Sequence, residues 1–158
     1  MNTTIERTAL TQLVTNEQYA RKVLPFIKKD YFSDKTERTV FEEINKFVDK
    51  YNKIPTQTSL EIEVSSRRDL NQTEYDKVIE VIKTLKSTDV DFEWLVDTTE
   101  KFCKDRAVHN AIVEGIGIIE GKDRDKDVGS IPSILTDALA VGFDNHVGRD
   151  YLLDSDSR

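Results

Sequence analysis

The sequence predicts an all-α fold, in which a small helical bundle forms a head and a long αα-hairpin projects from it. Apolar residues recur at steps of three and four along most of the chain, which is the spacing of one face of an amphipathic helix. The six glycines all lie beyond residue 114, so the two parts of the chain differ in composition. We therefore predict a head over residues 1–90, a hairpin over 91–143 and the beginning of a linker over 144–158.

Two amphipathic helices open the predicted head. The first covers residues 4–15, where Ile5, Ala9 and Leu13 share one face. Asn16 can cap the second helix. The apolar face of this helix lies before Pro25, and the helix should end near residue 28.

The third helix has the clearest apolar stripe of the head. Ser33 or Asp34 can cap it, and Pro55 closes it. After it, residues 60–64 alternate as a strand would, but a lone strand has no pairing partner, and we therefore predict a short helix. A last head helix runs to about residue 86, with Thr73 and Asp76 as its capping box.

A helix predicted over residues 91–121 would be about 45 Å long, which is more than a compact domain of this size usually holds. After a polar loop, a second helix begins near Ser130 with Pro132 in its first turn. Gly115 and Gly117 either let the two helices approach closely, which we favour, or mark a bend in the first one. The alternative to a projecting hairpin is one that folds back on the head.

The hairpin carries more apolar side chains than it can bury against itself, which favours self-association. We predict that the subunit interface contains twelve hairpin residues: Phe92, Leu95, Val96, Phe102, Val113, Ile116, Ile119, Ile131, Ile134, Leu135, Leu139 and Phe143.

The sequence offers no catalytic, cofactor-binding or metal-binding constellation. It has no phosphate-binding glycine loop and no nucleophile elbow. The aspartates at 123, 125 and 127 have calcium-loop spacing, but Val128 stands where the loop needs glycine, and Ile134 where it needs glutamate. We interpret His109 as a helix-surface or interface residue and Cys103 as a small core residue. An enzyme is the least favoured class.

The chain has 158 residues and a net charge of −7. Residues 1–90 are balanced, with fifteen basic and fifteen acidic side chains, whereas residues 91–158 carry eight and fifteen. This balance disfavours strong direct DNA binding, which needs clustered Lys and Arg. The single cysteine favours a reducing compartment, and no apolar run approaches the roughly 18 residues of a membrane helix. We expect a cytoplasmic protein with no membrane contact.

Several runs resemble the amino-terminal domain of replicative DNA helicases of the DnaB family. In the head these are LTQLVTNEQYARKVLPFIKKDYF and TVFEEINKFVDKYNKIPT, followed by Leu60. The later runs FEWLVDTTEKFCKDRAVHNA and VGSIPSILTDALAVGFDNHVGRD resemble the helicases of T-even-like phages. The order and spacing of these runs cover nearly the whole chain.

The resemblance implies a non-catalytic collar domain. In that family, hairpins pair so that six copies form a ring, a trimer of dimers, and primase docks on the collar. ATP and Mg²⁺ would be bound only by a motor domain outside this sequence, and a helicase loader is a further expected partner. The alternative is a stand-alone helical adaptor or loader that binds another replication protein. A reading frame that continues past Arg158 into a Walker motif would eliminate that alternative.

Overall fold

The computed structural model describes residues 3–122 and 125–142. These residues form helices joined by turns and loops, and none of them is in a strand. The chain divides into two compact units, Met1–Thr99 and Glu100–Arg158. The described residues form two short 3-10 helices, Lys29–Tyr31 and Val128–Ser130, and seven α-helices: α1 Thr3–Thr15, α2 Glu17–Val23, α3 Lys35–Tyr51, α4 Gln57–Ser65, α5 Gln72–Lys83, α6 Phe92–Ile119 and α7 Ile131–Leu139.

The first unit is built around α3, which packs against α1, α4 and α5. Its core is aliphatic with a few aromatic rings, and Phe32 stacks on Phe41 with ring centroids 5.2 Å apart. The hydroxyl groups of Tyr19 and Thr99 form a buried hydrogen bond, with 2.7 Å between their oxygen atoms, and Thr99 Oγ1 also donates to the Leu95 carbonyl. The fully buried aliphatic side chains larger than alanine are Leu10, Leu13, Val23, Val40, Ile44, Leu60, Ile82 and Leu95.

The start of α3 is capped by Asp34, whose carboxylate accepts the Glu37 N–H at 3.0 Å. Its end lies earlier than predicted, at Tyr51. Asn52 adopts a left-handed conformation with φ of 57° and donates its N–H to the Val48 carbonyl, which ends the helix before Pro55.

The second helix also ends earlier than predicted, at Val23 and not near residue 28. Pro25 has no N–H to donate to the Arg21 carbonyl, so the helical hydrogen-bond ladder stops there. The predicted Asn16 cap is confirmed, because its side chain accepts from the Tyr19 N–H at 3.0 Å.

The segment that could have been strand or helix is the helix α4. Leu60 and Val64, four residues apart, are buried, whereas Ile62 between them is exposed. Thr56 and Ser59 form a capping box at its start. The alternation of apolar and acidic residues therefore came from a short helix with one narrow buried face.

The capping box predicted for the next helix is wrong by two residues. Asn71 Oδ1 accepts the Glu74 N–H at 2.8 Å, and Glu74 Oε1 accepts the Asn71 N–H at 3.0 Å. The helix α5 therefore begins before Thr73, which lies inside its first turn, and it ends at Lys83 and not at residue 86.

The second unit contains most of α6, followed by a loop and α7. At 28 residues α6 is about 42 Å long. Gly121, with φ of 78°, ends the helix. The Gly121 N–H donates to the Ile118 carbonyl, and the Lys122 N–H donates to the Gly117 carbonyl. These are the two hydrogen bonds of a Schellman motif.

The predicted boundary between head and hairpin lies before the long helix, whereas the division of the chain falls within it, between Thr99 and Glu100. That the hairpin projects stays a prediction. The predicted linker, residues 144–158, lies outside the described residues.

Candidate subunit interface

The helices α6 and α7 form an antiparallel hairpin in the second unit. A Cβ placed on Gly115 would lie 3.7 Å from Ile131 Cγ2, at the start of α7. A Cβ on Gly142, just after α7, would lie 3.2 Å from both the Glu100 carboxylate and Lys104 Cε. The later part of α6 therefore meets the start of α7, and the earlier part meets its end. Lys126, in the connecting loop, forms an ion pair with Glu114.

Two apolar faces run along α6 from Cys103 onwards. One face is made of small residues and Ile118, and it is buried: Cys103, Ala107, Ala111, Gly115 and Ile118. Because Gly115 on this face approaches Ile131, this is the face turned towards α7. The other face consists of larger side chains and is exposed to solvent: Ile112, Val113, Ile116 and Ile119.

The exposed apolar side chains of α6 follow one another at helical spacing. Ile112 and Ile116 are four residues apart, and Ile119 follows three residues later, so their side chains line one stripe. Ile119 is 67% exposed, and Leu139 at the end of α7 is 72% exposed. Exposed contiguous apolar side chains such as those on α6 mark interaction surfaces in soluble proteins. We call the set Ile112, Val113, Ile116, Ile119 and Leu139 the hairpin apolar patch.

The structure separates the twelve predicted interface residues into groups. Leu95, Val96 and Phe102 are already buried within the chain. Four are half-buried: Phe92, Ile131, Ile134 and Leu135. Four are exposed and belong to the hairpin apolar patch: Val113, Ile116, Ile119 and Leu139. Phe143 lies outside the described residues, and which of the twelve contact another subunit stays a prediction.

Sequence reasoning missed two exposed residues of this unit, Ile112 and Val128. Ile112 precedes Ile116 by four residues, so helical spacing alone could have found it. Val128 lies in a 3-10 helix, where no such periodicity exists.

The two helix glycines differ in their surroundings. Gly115 is buried, and a Cβ added to it would make an ordinary van der Waals contact with Ile131 at 3.7 Å, so the helices meet here without requiring glycine. Gly117 has no atom within 4 Å of an added Cβ. The helix α6 continues through both positions.

Cys103 and His109 are the two side chains of the second unit that the sequence singled out as possible reactive groups. Burial raises the pKa of the Cys103 thiol to about 12, so the thiol is protonated and shielded. His109 is exposed on α6. Within residues 3–122 and 125–142, no three His, Cys, Asp or Glu side chains are gathered so that they could hold a metal ion. In the same residues, no helix is both long and apolar enough to span a membrane.

Comparison with known proteins gives two matches. The sequence model of the "DnaB-like helicase N terminal domain" family matches residues 1–96. The DnaB-like replicative helicase of Enterobacteria phage T4 is 32% identical over 157 residues, and this alignment covers 94% of the chain. The chain spans about a third of the length of that relative, 33%.

Proposed function

The chain belongs to the DnaB-like helicase N-terminal domain family, and from this premise we propose that it is the assembly domain of a hexameric phage replicative helicase. The observation that carries the proposal is the hairpin apolar patch. In this proposal, hairpins of two copies pair through their patches, and the resulting dimers assemble as a trimer of dimers. The domain itself performs no catalysis.

The size of the patch decides how strong this pairing should be. Burying a large aliphatic side chain contributes about 1.5–3 kcal/mol, and roughly half of that for a side chain that is half-exposed at the start. Five such residues give on the order of 5 kcal/mol per subunit, and a symmetric contact doubles the sum. Association costs roughly 4–15 kcal/mol. We therefore expect the chain by itself to associate weakly and in a concentration-dependent manner.

The proposal extends to the whole protein and its partners. The 32% identical relative is a replicative helicase, so we propose that this domain accompanies an ATP-dependent motor that binds ATP and Mg²⁺. We also propose that the first unit offers a docking surface for primase, with a helicase loader as a further partner, in the host cytoplasm. The net charge of −7 supports protein partners over direct DNA contact.

Sedimentation velocity of the 158-residue chain from micromolar to millimolar concentration tests the pairing. We expect the mass of the wild type to rise with concentration. A double variant, Ile116→Asp with Ile119→Asp, should stay monomeric, because association would bury two unpaired carboxylates.

Ile62→Asp is the matched control, since Ile62 is 60% exposed but lies on α4 in the other unit. It should associate as the wild type does. A wild type that stays monomeric at every concentration would contradict the proposal, and so would a double variant that associates as strongly as the wild type. Isothermal titration calorimetry with the cognate primase tests docking separately. We expect binding heat when primase is titrated into the chain, and none when buffer is titrated into it.

A further inference from the structure

Two glutamates are buried side by side in the first unit. Glu6 on α1 is 2% exposed and Glu37 on α3 is 1% exposed, and their carboxyl groups lie within hydrogen-bonding reach of each other. Two ionised carboxylates at this distance repel strongly, and burial weakens the screening by water. The pair therefore needs either two cations or a proton.

One cation is available to the pair. Arg7 Nε donates to Glu37 Oε2 at 3.0 Å. The same guanidinium donates through its NH1 group to Thr84 Oγ1 at 3.2 Å. Glu6 also has a neutral hydrogen-bond donor, because Ser33 Oγ donates to Glu6 Oε2 at 3.2 Å. Two carboxylates and one arginine leave one negative charge without a counter-charge.

One oxygen of the pair shows where a proton can be held. Glu37 Oε1 is buried and accepts no hydrogen bond from a donor among the described residues. A proton on this oxygen lets it donate to the Glu6 carboxylate, which satisfies the unpaired atom and neutralises the excess charge together.

The other elements packed on α3 direct their charges to other residues. Lys29, from the 3-10 helix, pairs with Glu42 at 3.5 Å, and Lys35 pairs with Glu74 of α5 at 2.7 Å. After α4, Arg67 binds Glu43 at 2.9 Å. Asp34 accepts the backbone N–H of Glu37. Among the described residues, the charged side chains acting on the Glu37 carboxyl are thus Glu6 and Arg7.

We propose that Glu6 and Glu37 share one proton in the folded protein, held on Glu37 Oε1, and that this proton fastens α1 to α3. Loss of the proton above neutral pH leaves an unpaired buried charge between the two helices and weakens their packing. The pair is therefore a pH-sensitive contact within the head.

The direction of the pH effect follows from linkage. Burial, with the hydrogen bond to Glu6, raises the pKa of Glu37 from 4.5 to about 7, while Arg7 opposes the rise. Between these pH values the folded chain holds a proton that the unfolded chain has lost. The stabilising contribution is full below about pH 4.5 and is lost as the pH rises through about 7.

Thermal unfolding of the wild-type chain at pH 5.5 and pH 8 measures the effect. The folding equilibrium constant should fall on the order of 10-fold between these pH values because of this pair. In Glu37→Gln, the amide donates to Glu6 and its oxygen accepts from Arg7, so this variant should lose most of the pH dependence and exceed the wild type in stability at pH 8.

Glu43→Gln is the matched control. Glu43 is also buried on α3, but it has Arg67 and Lys46 as its own cations. This variant should be less stable than the wild type at both pH values and should keep the pH dependence. Equal pH dependence in Glu37→Gln and in the wild type would overturn the proposal.

A direct readout covers the case in which Glu37→Gln fails to fold. The side-chain carboxyl carbon resonances of the wild type, followed by NMR over pH 4–9, should include one glutamate with a midpoint near 7. Midpoints below pH 6 for all glutamates would overturn the proposal, whatever the behaviour of the variant.

Discussion

Gly117 and Gly121 lie four residues apart at the end of α6, but their backbones have different requirements. Gly117 is inside the helix, and a Cβ added there would meet nothing within 4 Å. Gly121 has φ of 78°, in the left-handed region where an L side chain is strained. The first glycine is therefore dispensable for the fold, whereas the second sets the end of the helix.

Opposite stability changes are expected for alanine at these two glycines. Gly117→Ala should stabilise the chain by about 0.5–1 kcal/mol, because alanine loses less backbone entropy in a helix. Gly121→Ala should destabilise it by about 1 kcal/mol, because the Schellman turn then places a Cβ in a left-handed conformation. Urea unfolding followed by circular dichroism measures both, and equal effects of the two changes would contradict this assignment.

The helix starts of the first unit depend on side chains that bond back to the backbone. The Asn71 and Glu74 capping box satisfies two N–H groups that α5 itself cannot satisfy. The capping box predicted from the sequence was Thr73 with Asp76, two residues that have the same spacing. Both pairs fit the pattern of a capping box, and the packing of α5 on α3 and α4 selects the register.

Alanine substitutions at α5 distinguish the two capping boxes. Asn71→Ala should cost about 1 kcal/mol of stability, since the Glu74 N–H loses its acceptor. Thr73→Ala, inside the first turn and exposed, should change stability by less than about 0.5 kcal/mol. Thermal unfolding of both variants beside the wild type gives the answer, and a larger loss from Thr73→Ala would favour the original assignment.

Tertiary contacts also fix helix ends that no local signal marks. The Gln57 side chain, in the first turn of α4, donates to the Ile82 and Leu85 carbonyls at the end of α5, both at 2.9 Å. The Ile82 carbonyl also accepts the Leu85 N–H at 3.1 Å, and Leu85 itself lies just after the helix, which ends at Lys83. A side chain 25 or more residues away in sequence therefore adds hydrogen bonds at this helix end, and no local pattern could have predicted them.

At the scale of the whole molecule, α6 carries apolar residues with two different roles. Phe102 is 3% exposed and belongs to the interior, whereas Ile116 belongs to the hairpin apolar patch. A charge at each position should therefore have different consequences, although sequence analysis placed both residues in one interface.

Phe102→Asp should abolish or strongly weaken the cooperative thermal transition, because it buries an unpaired carboxylate and leaves a cavity. Ile116→Asp should keep a transition close to that of the wild type and lose only concentration-dependent association. Calorimetry together with sedimentation separates the two outcomes. A normal transition in Phe102→Asp would show that this residue is not part of the interior.

Local signals were enough to predict the all-α class, the order of the seven helices and the hairpin of α6 and α7, because helical periodicity and caps such as Asn16 and Asp34 act over a few residues. Tertiary structure alone decided which face of α6 is covered. That helix is apolar on two sides, so periodicity cannot choose between Ala111 with Gly115 and the larger residues beside them. It also decided the meeting of Glu6 with Glu37, since burial and proximity of residues about thirty positions apart arise only when α1 packs on α3.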